Sequence, residues 1–261
     1  MLTNKRINNK NIRRGVFILP SLLTIGNIFF GFYAIIASLD GKYYYAALAL
    51  ILSFILDGLD GTIARLTKTE SQFGLNLDSL ADVISFGVSP AILIHSAFLY
   101  SFGRLGWGIS FFYLTCGAIR LARFNIQQDR KTKPKYFVGL PIPTGAAFIS
   151  SLVIFFNGNT SYTLLPTFTL VITLIIGFLM ISTLRYRSFK EIDFKKKRPV
   201  KILFIIVLGI MVITSLPKKI PFIILLIYVL SPFIITPIRK ALTNFKELNN
   251  LYEKIDNHIE Q

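Results

Sequence analysis

The 261-residue chain has a single cysteine, Cys116, so it cannot form a disulfide within itself. It also lacks a lipidation motif, a low-complexity tract and a strong internal repeat. The first apolar run, residues 16–39, follows a basic segment but has no small-x-small cleavage pattern at its end. We therefore expect this run to be retained as a membrane span rather than removed as a secretory signal.

Acidic residues are scarce as well, 13 against 29 Lys and Arg, which gives a net charge of +16. Such a balance can indicate nucleic-acid binding, or loops that lie beside anionic lipid. The rest of the composition favours a membrane protein, because 53% of the residues are hydrophobic and the mean hydropathy is +0.59. No nucleic-acid-binding motif accompanies the dispersed basic residues, so nucleic acid is not expected as a partner.

Eight apolar segments are candidates for membrane spans. They lie near residues 17–39, 43–64, 79–100, 105–122, 142–157, 163–183, 200–216 and 220–238. Eight spans place both termini on one side of the membrane. Of the 29 Lys and Arg residues, 25 share that side, and the other four are Lys42, Arg104, Lys218 and Lys219. This asymmetry predicts an all-α, polytopic membrane helical bundle with about eight transmembrane helices and both termini cytoplasmic.

The same pattern divides the chain into four regions. The sequence predicts a basic cytoplasmic segment at 1–16, a membrane domain at 17–190, two additional spans within 191–242 and a cytoplasmic tail at 243–261. The tail could form an interfacial helix or a solvated segment. The location expected is the inner, cytoplasmic membrane of the cell, with multiple passes.

Four aspartates fall in one stretch, DGLDGTIARLTKTESQFGLNLDSLAD, and these are Asp57, Asp60, Asp78 and Asp82. At about 100° per residue, the first two lie roughly 60° apart on one helix, and the small residues Gly61 and Ala64 continue their stripe. The last two are four residues apart and share one face of the next helix. The polar segment between the pairs predicts a cytoplasmic turn, so two antiparallel helices would bring the acidic faces together.

Four carboxylates cannot face lipid, because one charged side chain at the bilayer centre costs roughly 2.5–3.5 kcal/mol. They must line a wet cavity and be neutralised by protons or by metal. The spans hold too few basic residues to pair with all four, so we favour metal. The stretch has no histidine or cysteine, and oxygen-only ligands suit hard ions. We expect two divalent cations, Mg²⁺ or Mn²⁺, that bind diphosphate oxygens in phosphoryl transfer.

The spacing of this stretch resembles the complete signature of the CDP-alcohol phosphotransferase family. The matching positions are Asp57, Asp60, Gly61, Ala64, Arg65, Gly74, Asp78 and Asp82. The resemblance implies a homodimeric membrane enzyme that moves a phosphatidyl group from a CDP-linked donor to an alcohol and releases CMP. It also implies that the four aspartates bind metal and that Asp82 is the general base. Gly61, Ala64 and Arg65 would contact the CDP moiety, and Gly74 would allow close helix approach.

Further blocks are similar to those of the membrane-embedded phosphatidylserine synthases. They are PSLLTIGNIFFGF (20–32), SFGVSPA (85–91), CGAIRLARFN (116–125), FVGLPIPTGAA (137–147) and LMISTLRYRSFK (179–190). This similarity implies CDP-diacylglycerol as the donor and L-serine as the acceptor. Glycerol 3-phosphate or an inositol phosphate as acceptor, an ether-lipid donor, and an ion- or proton-coupled transporter are the alternatives.

Residues outside the acidic stretch supply the other candidates. Asn27, in the cytoplasmic half of the first span, is predicted to help hold cytidine or phosphate. Arg120 and Arg123 stand at the inner end of the fourth span, where a guanidinium could bind the serine carboxylate or a lipid phosphate, or could simply anchor the span. Candidate acceptor contacts are Ser85, Ser89 and Asn125.

Overall fold

The computed structural model describes residues 3–67, 69, 71–128, 136–156, 164–187 and 218–233. Within these ranges the chain forms seven helices and one short two-stranded ribbon. The helices are α1 (Thr3–Leu39), α2 (Tyr43–Thr67), α3 (Gln72–Phe102), α4 (Arg104–Gln128), α5 (Ile142–Phe156), α6 (Leu165–Ile181) and α7 (Ile220–Phe233). The strands are β1 (Tyr136–Val138) and β2 (Arg185–Arg187).

Four helical segments are long and apolar enough to cross a membrane: Pro20–Leu39, Tyr43–Thr67, Gln72–Phe102 and Arg104–Ile126. The helices α5, α6 and α7 are apolar but shorter. These helices agree with a multi-pass helical membrane protein. The number of spans and the side of the termini stay predictions, because the candidate span 200–216 and the tail lie outside the described residues.

One short ribbon departs from the all-α prediction. β1 and β2 pair antiparallel, with Phe137 opposite Tyr186. Gly139 follows β1 with a φ of +79°, and its N–H donates to the carbonyl of Leu184 at 2.8 Å. The segments that follow α4 and α6 thus form backbone hydrogen bonds with each other, because neither segment continues as a helix.

Small side chains hold α1 and α2 close together. The two helices are antiparallel, and a short turn with Gly41 at a φ of +74° joins them. Ala34 and Ala37 of α1 and Ala46 and Ala49 of α2 are buried. Because membrane helices associate through close packing rather than through a hydrophobic driving force, such small residues favour the pairing.

The helix α3 contains a π-helical turn, Val83–Val88, directly after Asp82. Ser89 ends this turn, and its Oγ donates to the carbonyl of Gly31 on α1 at 2.8 Å. The next residue, Pro90, has no N–H for the carbonyl four residues earlier. Tyr113 of α4 serves that carbonyl instead, since its hydroxyl donates to the oxygen of Phe86 at 3.1 Å. The irregular stretch of α3 is therefore held by α1 on one side and α4 on the other.

The crossing of α1 and α3 at Gly31 gives a test of this packing. A Cβ at Gly31 would lie 2.9 Å from the Cα of Ser85, closer than real Cβ contacts, whereas a Cβ at Gly108 would meet no atom within 4 Å. We expect Gly31→Ala to lower stability by about 1–3 kcal/mol through overpacking. Gly108→Ala, the matched control, should leave stability unchanged or raise it by up to about 1 kcal/mol. Thermal unfolding in detergent measures both, and equal midpoints for the two variants would contradict the close crossing.

Candidate metal centre

Carboxylates of α2 and α3 converge beside the turn that connects the two helices. Carboxylate oxygens of Asp57, Asp60 and Asp78 all lie within 4.8 Å of one another. Asp82, one turn further along α3, forms a side-chain hydrogen bond with Asp57 and interacts electrostatically with Asp78. The structure therefore brings together all four aspartates that the sequence analysis singled out.

This donor set fits a hard divalent cation. Carboxylates at such separations repel one another unless positive charge lies among them. The contact between Asp57 and Asp82 joins two carboxyl groups, which requires a shared proton or a cation. The Oδ1 atom of Asp82 is buried and has no hydrogen-bond partner in the described part of the chain. Since every donor is a carboxylate oxygen, the cluster suits Mg²⁺ or Mn²⁺.

A hydrogen bond from α1 fixes the orientation of one of these carboxylates. Thr24 Oγ1 donates to Asp60 Oδ2 at 2.8 Å, and both side chains are buried. Partners of this kind hold a metal ligand in its binding orientation. Thr24 was missed in the sequence analysis, although it lies in the PSLLTIGNIFFGF block. Its spacing of three residues from Asn27 was the available signal, because it puts both on one face of α1.

An open cleft adjoins the acidic cluster. α2 and α3 contribute several small residues to its walls. The full lining consists of Pro20, Ser21, Thr24, Asp60, Gly61, Ala64, Thr69, Ser71, Gly74, Leu75 and Asp78. A Cβ at Gly61 would meet no atom within 4 Å. The small residues of the signature therefore leave room for a ligand beside the carboxylates.

Two more signature residues are Gly74, which lines this cleft, and Arg65, which contacts the lining residue Gly61. Arg65 is exposed, and its Nε donates to the carbonyl of Gly61 at 2.8 Å. Gly74 lines the cleft, and its N–H donates to Ser71 Oγ at 3.0 Å, which caps the start of α3. Among the described residues, a Cβ at Gly74 would meet only Ser71 Oγ, at 3.1 Å. The absent side chain of Gly74 therefore widens the cleft, and the close helix approach that was predicted for it stays a prediction.

Three other predicted residues lie in the contacts between helices. Asn27 is completely buried; Ser53 Oγ donates to its side-chain oxygen, and Ser85 Oγ donates to its backbone carbonyl at 3.0 Å. Ser89 is also completely buried and donates to α1, as described above. None of these three residues lines the cleft. Their roles in holding cytidine or the acceptor stay predictions, and the contacts present are structural.

Two predicted residues of α4 connect that helix to its neighbours. Arg123 Nη1 donates to the carbonyl of Ile181 at 3.1 Å, at the end of α6. Asn125 Nδ2 donates to Ser79 Oγ at 2.9 Å, on the turn of α3 between two of the aspartates. These contacts fix the positions of α4 and α6 relative to the end of α3 that carries the aspartates.

Arg120 is the predicted α4 residue that faces the acidic cluster. It interacts electrostatically with Asp82, and its guanidinium lies 5.3 Å from the ring centroid of Phe124. Only 6% of the residue is exposed. A cation of this kind beside the carboxylates offsets part of their negative charge and offers donors to an anionic ligand.

These features define a membrane-embedded centre of oxygen ligands that opens onto a cleft walled by small residues. The sequence model of the CDP-alcohol phosphatidyltransferase family matches residues 17–179, and the chain belongs to this family.

Similar proteins span bacteria and archaea. A CDP-diacylglycerol–serine O-phosphatidyltransferase of Helicobacter pylori (strain ATCC 700392 / 26695) is 40% identical over 199 residues, which cover 74% of this chain and 79% of the relative. A protein of the same name from Bacillus subtilis (strain 168) is 35% identical over 173 residues, covering 66% of this chain and 92% of the relative. An archaetidylserine synthase of Methanothermobacter thermautotrophicus is 42% identical over 147 residues, covering 56% of this chain and 61% of the relative.

The hydrogen bond of Thr24 yields a prediction on metal affinity. Thr24→Val keeps the shape of the side chain but removes the donor to Asp60, so we expect divalent-cation affinity to fall about 10- to 100-fold. Thr24→Ser keeps the hydroxyl and is the matched control. Mn²⁺ titration of the purified protein, followed by electron paramagnetic resonance, measures the affinity directly. Wild-type affinity in the valine variant would show that the contact does not orient a ligand.

Proposed function

We propose that the chain is a metal-dependent CDP-diacylglycerol–serine O-phosphatidyltransferase, that is, a phosphatidylserine synthase. The observation that carries this proposal is the convergence of four signature aspartates beside a cleft walled by Gly61, Ala64 and Gly74. The names of the relatives in Helicobacter pylori and Bacillus subtilis support the choice of serine as acceptor.

The cleft is the proposed site of the CDP group. Its small side chains leave space beside the aspartates. Arg65 is exposed and contacts the carbonyl of the lining residue Gly61, and its guanidinium is suited to phosphate oxygens. The proposed holders of two divalent cations are Asp57, Asp60, Asp78 and Asp82. When bound there, the cations neutralise the diphosphate and stabilise the negative charge that develops on departing CMP.

Asp82 is the proposed general base. Its buried Oδ1 has no hydrogen-bond partner among the described residues and can accept a proton. The serine hydroxyl attacks the β-phosphorus of the donor and loses its proton to Asp82. The bond between that phosphorus and the bridging oxygen breaks, and CMP leaves with the electron pair. The products are phosphatidylserine and CMP.

Arg120 is the proposed contact for the carboxylate of serine. It interacts electrostatically with Asp82, so a serine whose hydroxyl faces the base can direct its carboxylate toward the guanidinium. A phosphorylated acceptor would need several convergent cations. Arg123, the other arginine of this helix end, already donates to the carbonyl of Ile181. Because this leaves one arginine rather than several for the acceptor, serine is favoured over glycerol 3-phosphate or an inositol phosphate.

The proposal includes a location and an assembly state. The apolar helices and the predominance of basic residues on one side support an enzyme of the cytoplasmic membrane whose site faces the cytoplasm. Residues 17–190 are the proposed catalytic domain, and 191–242 hold two further spans. A homodimer is also proposed, and the exposed apolar side chains of α1 and α2 are compatible with lipid or a second copy as their neighbour.

A single assay tests the acceptor. Purified protein with Mg²⁺ or Mn²⁺ and CDP-diacylglycerol is offered serine, glycerol 3-phosphate or an inositol phosphate, and CMP release is measured. We expect release with serine above the other two acceptors. An ether-linked CDP donor offered in parallel reports whether the lipid linkage matters. Absence of CMP with every acceptor would overturn the enzyme assignment, and release with glycerol 3-phosphate but not serine would overturn the choice of acceptor.

A second experiment tests the base. Asp82→Asn cannot accept the proton at a neutral carboxamide, so turnover should fall by at least about 100-fold, while part of the donor binding remains. Asp40→Asn is the matched control, because Asp40 is exposed and pairs with Lys42 at 3.3 Å, at the far end of α2. The measurements are CMP release and retention of radiolabelled CDP-diacylglycerol. Near-normal turnover in Asp82→Asn would refute its role as the base.

A further inference from the structure

A second cavity lies toward the end of α3 that is remote from the aspartates. It encloses about 540 Å³, and its lining consists of His95, Tyr100, Ser101, Gly103, Arg104 and Trp107. At a rise of 1.5 Å per residue, His95 lies about 20 Å along the helix from Asp82. The cavity is therefore separate from the metal centre and lies near the opposite face of the membrane.

This cavity forms where α3 ends and α4 begins. The end of α3 changes to a π turn at His95–Leu99 and then to a 3₁₀ turn at Tyr100–Phe102. The chain turns at Gly103, whose φ is +53°. A Cβ at Gly106 would collide with the carbonyl oxygen of Leu99, so glycine lets the first turn of α4 rest against the end of α3. These contacts hold the walls in place, and π turns are frequent at functional sites.

Aromatic side chains indicate the depth of this cavity in the membrane. Tyr100 and Trp107 line it and are exposed. The start of α2 lies beside the same turn of α3, because Tyr43 Oη donates to the carbonyl of Ser96 at 2.9 Å, and the nearby Tyr45 is exposed. Tyrosine and tryptophan are enriched where a bilayer meets water. The cavity therefore opens at the level of the lipid headgroups.

Two nitrogen-bearing side chains of the lining remain available to a ligand. Arg104 is exposed and has no carboxylate within 4.0 Å among the described residues, since Asp40 pairs with Lys42. The Nδ1 atom of His95 is buried and has no hydrogen-bond partner in the same part of the chain. An unpaired buried nitrogen is costly unless a ligand supplies the partner. Because the cavity has a cation and no acidic residue in its described lining, it favours a negatively charged ligand.

The surroundings of the cavity favour a lipid over a soluble anion. Guanidinium, imidazole and the hydroxyl of Ser101 can all donate to phosphate oxygens. Next to this polar lining, Trp107 stacks on Phe111 with the ring centroids 5.9 Å apart. Both rings and Leu105 are exposed, so an apolar surface continues along α4 from the cavity. A soluble anion would use the polar lining alone, whereas a phospholipid would also cover this surface with its acyl chains.

We propose that this cavity binds the phosphate headgroup of a phospholipid from the leaflet opposite the metal centre. Arg104 and His95 are its polar contacts, and the acyl chains lie along Trp107 and Phe111. A lipid held in this way bridges the end of α3 and the start of α4. The site does not depend on the reaction in the cleft or on the identity of the acceptor.

The position of the chain's single tryptophan makes the site directly testable. Because Trp107 lines the cavity, its fluorescence reports on this place alone. Phosphatidylglycerol with brominated acyl chains, which quench a nearby tryptophan, is titrated into the purified full-length protein in a maltoside detergent. Brominated diacylglycerol, which lacks the phosphate, is the reference. We expect half-quenching at a mole fraction of phosphatidylglycerol that is at least about fivefold lower than that of diacylglycerol.

Three variants identify the groups that cause this preference. Arg104→Gln removes the cation, and His95→Phe keeps a planar ring without its nitrogens. In each, half-quenching by phosphatidylglycerol should move to within about twofold of that by diacylglycerol. Lys218→Gln is the matched control, because it removes a cation that the sequence predicts on the same side of the membrane but that does not line the cavity. It should keep the wild-type preference.

Each measurement can overturn the proposal. Equal half-quenching by the two lipids in the wild type would do so without any variant, and so would a retained preference in either cavity variant. Arg104 is exposed, so Arg104→Gln decides the point even if His95→Phe does not fold. Millimolar inorganic phosphate is then added to the protein loaded with phosphatidylglycerol. Unchanged quenching supports the lipid headgroup, whereas recovery of the fluorescence would assign the cavity to a soluble phosphate and overturn the lipid as its ligand.

Discussion

Mutual repulsion among carboxylates that are held between apolar helices is the constraint on which the rest of this structure depends. Water would normally screen such charges, but a bilayer offers little of it. Asp57, Asp60 and Asp78 meet at the ends of two helices, beside an open cleft. The position near the helix ends allows ions and water to enter, while the helices keep the oxygens close enough to share a cation.

The four aspartates lie on α2 and α3, yet side chains of α1 hold the cluster in place. Thr24 supports Asp60, Asn27 accepts hydrogen bonds from α2 and α3, and Gly31 lets α3 approach closely. These three residues follow a spacing of three and four, which is one stripe of a helix. The blocks PSLLTIGNIFFGF and SFGVSPA are thus largely explained by the contact between them.

The periodic features of the sequence were sufficient to predict the helices and the facing aspartates, because both depend on local spacing. The seventh predicted span lies outside the described residues. Contacts between helices could not be predicted in the same way, because they depend on which helix packs against which. Ser85 and Ser89 were predicted as candidate acceptor contacts, and in the structure their hydroxyls donate to backbone carbonyls of α1. Gly74 suggested a helix crossing, but among the described residues only Ser71 Oγ would lie within 4 Å of a Cβ placed there.

Because of the π turn at Val83–Val88, the site depends on the exact number of residues in this part of α3. Before it, Asp78 and Asp82 point to the metal centre, and after it Ser89 contacts α1. Removing one residue would rotate one half of the helix against the other by about 100°. Either the carboxylates or the interhelical hydroxyl would then lose their partners. An insertion or deletion of a single residue here is therefore more damaging than most substitutions, because the number of residues between the two halves of α3 fixes their relative rotation.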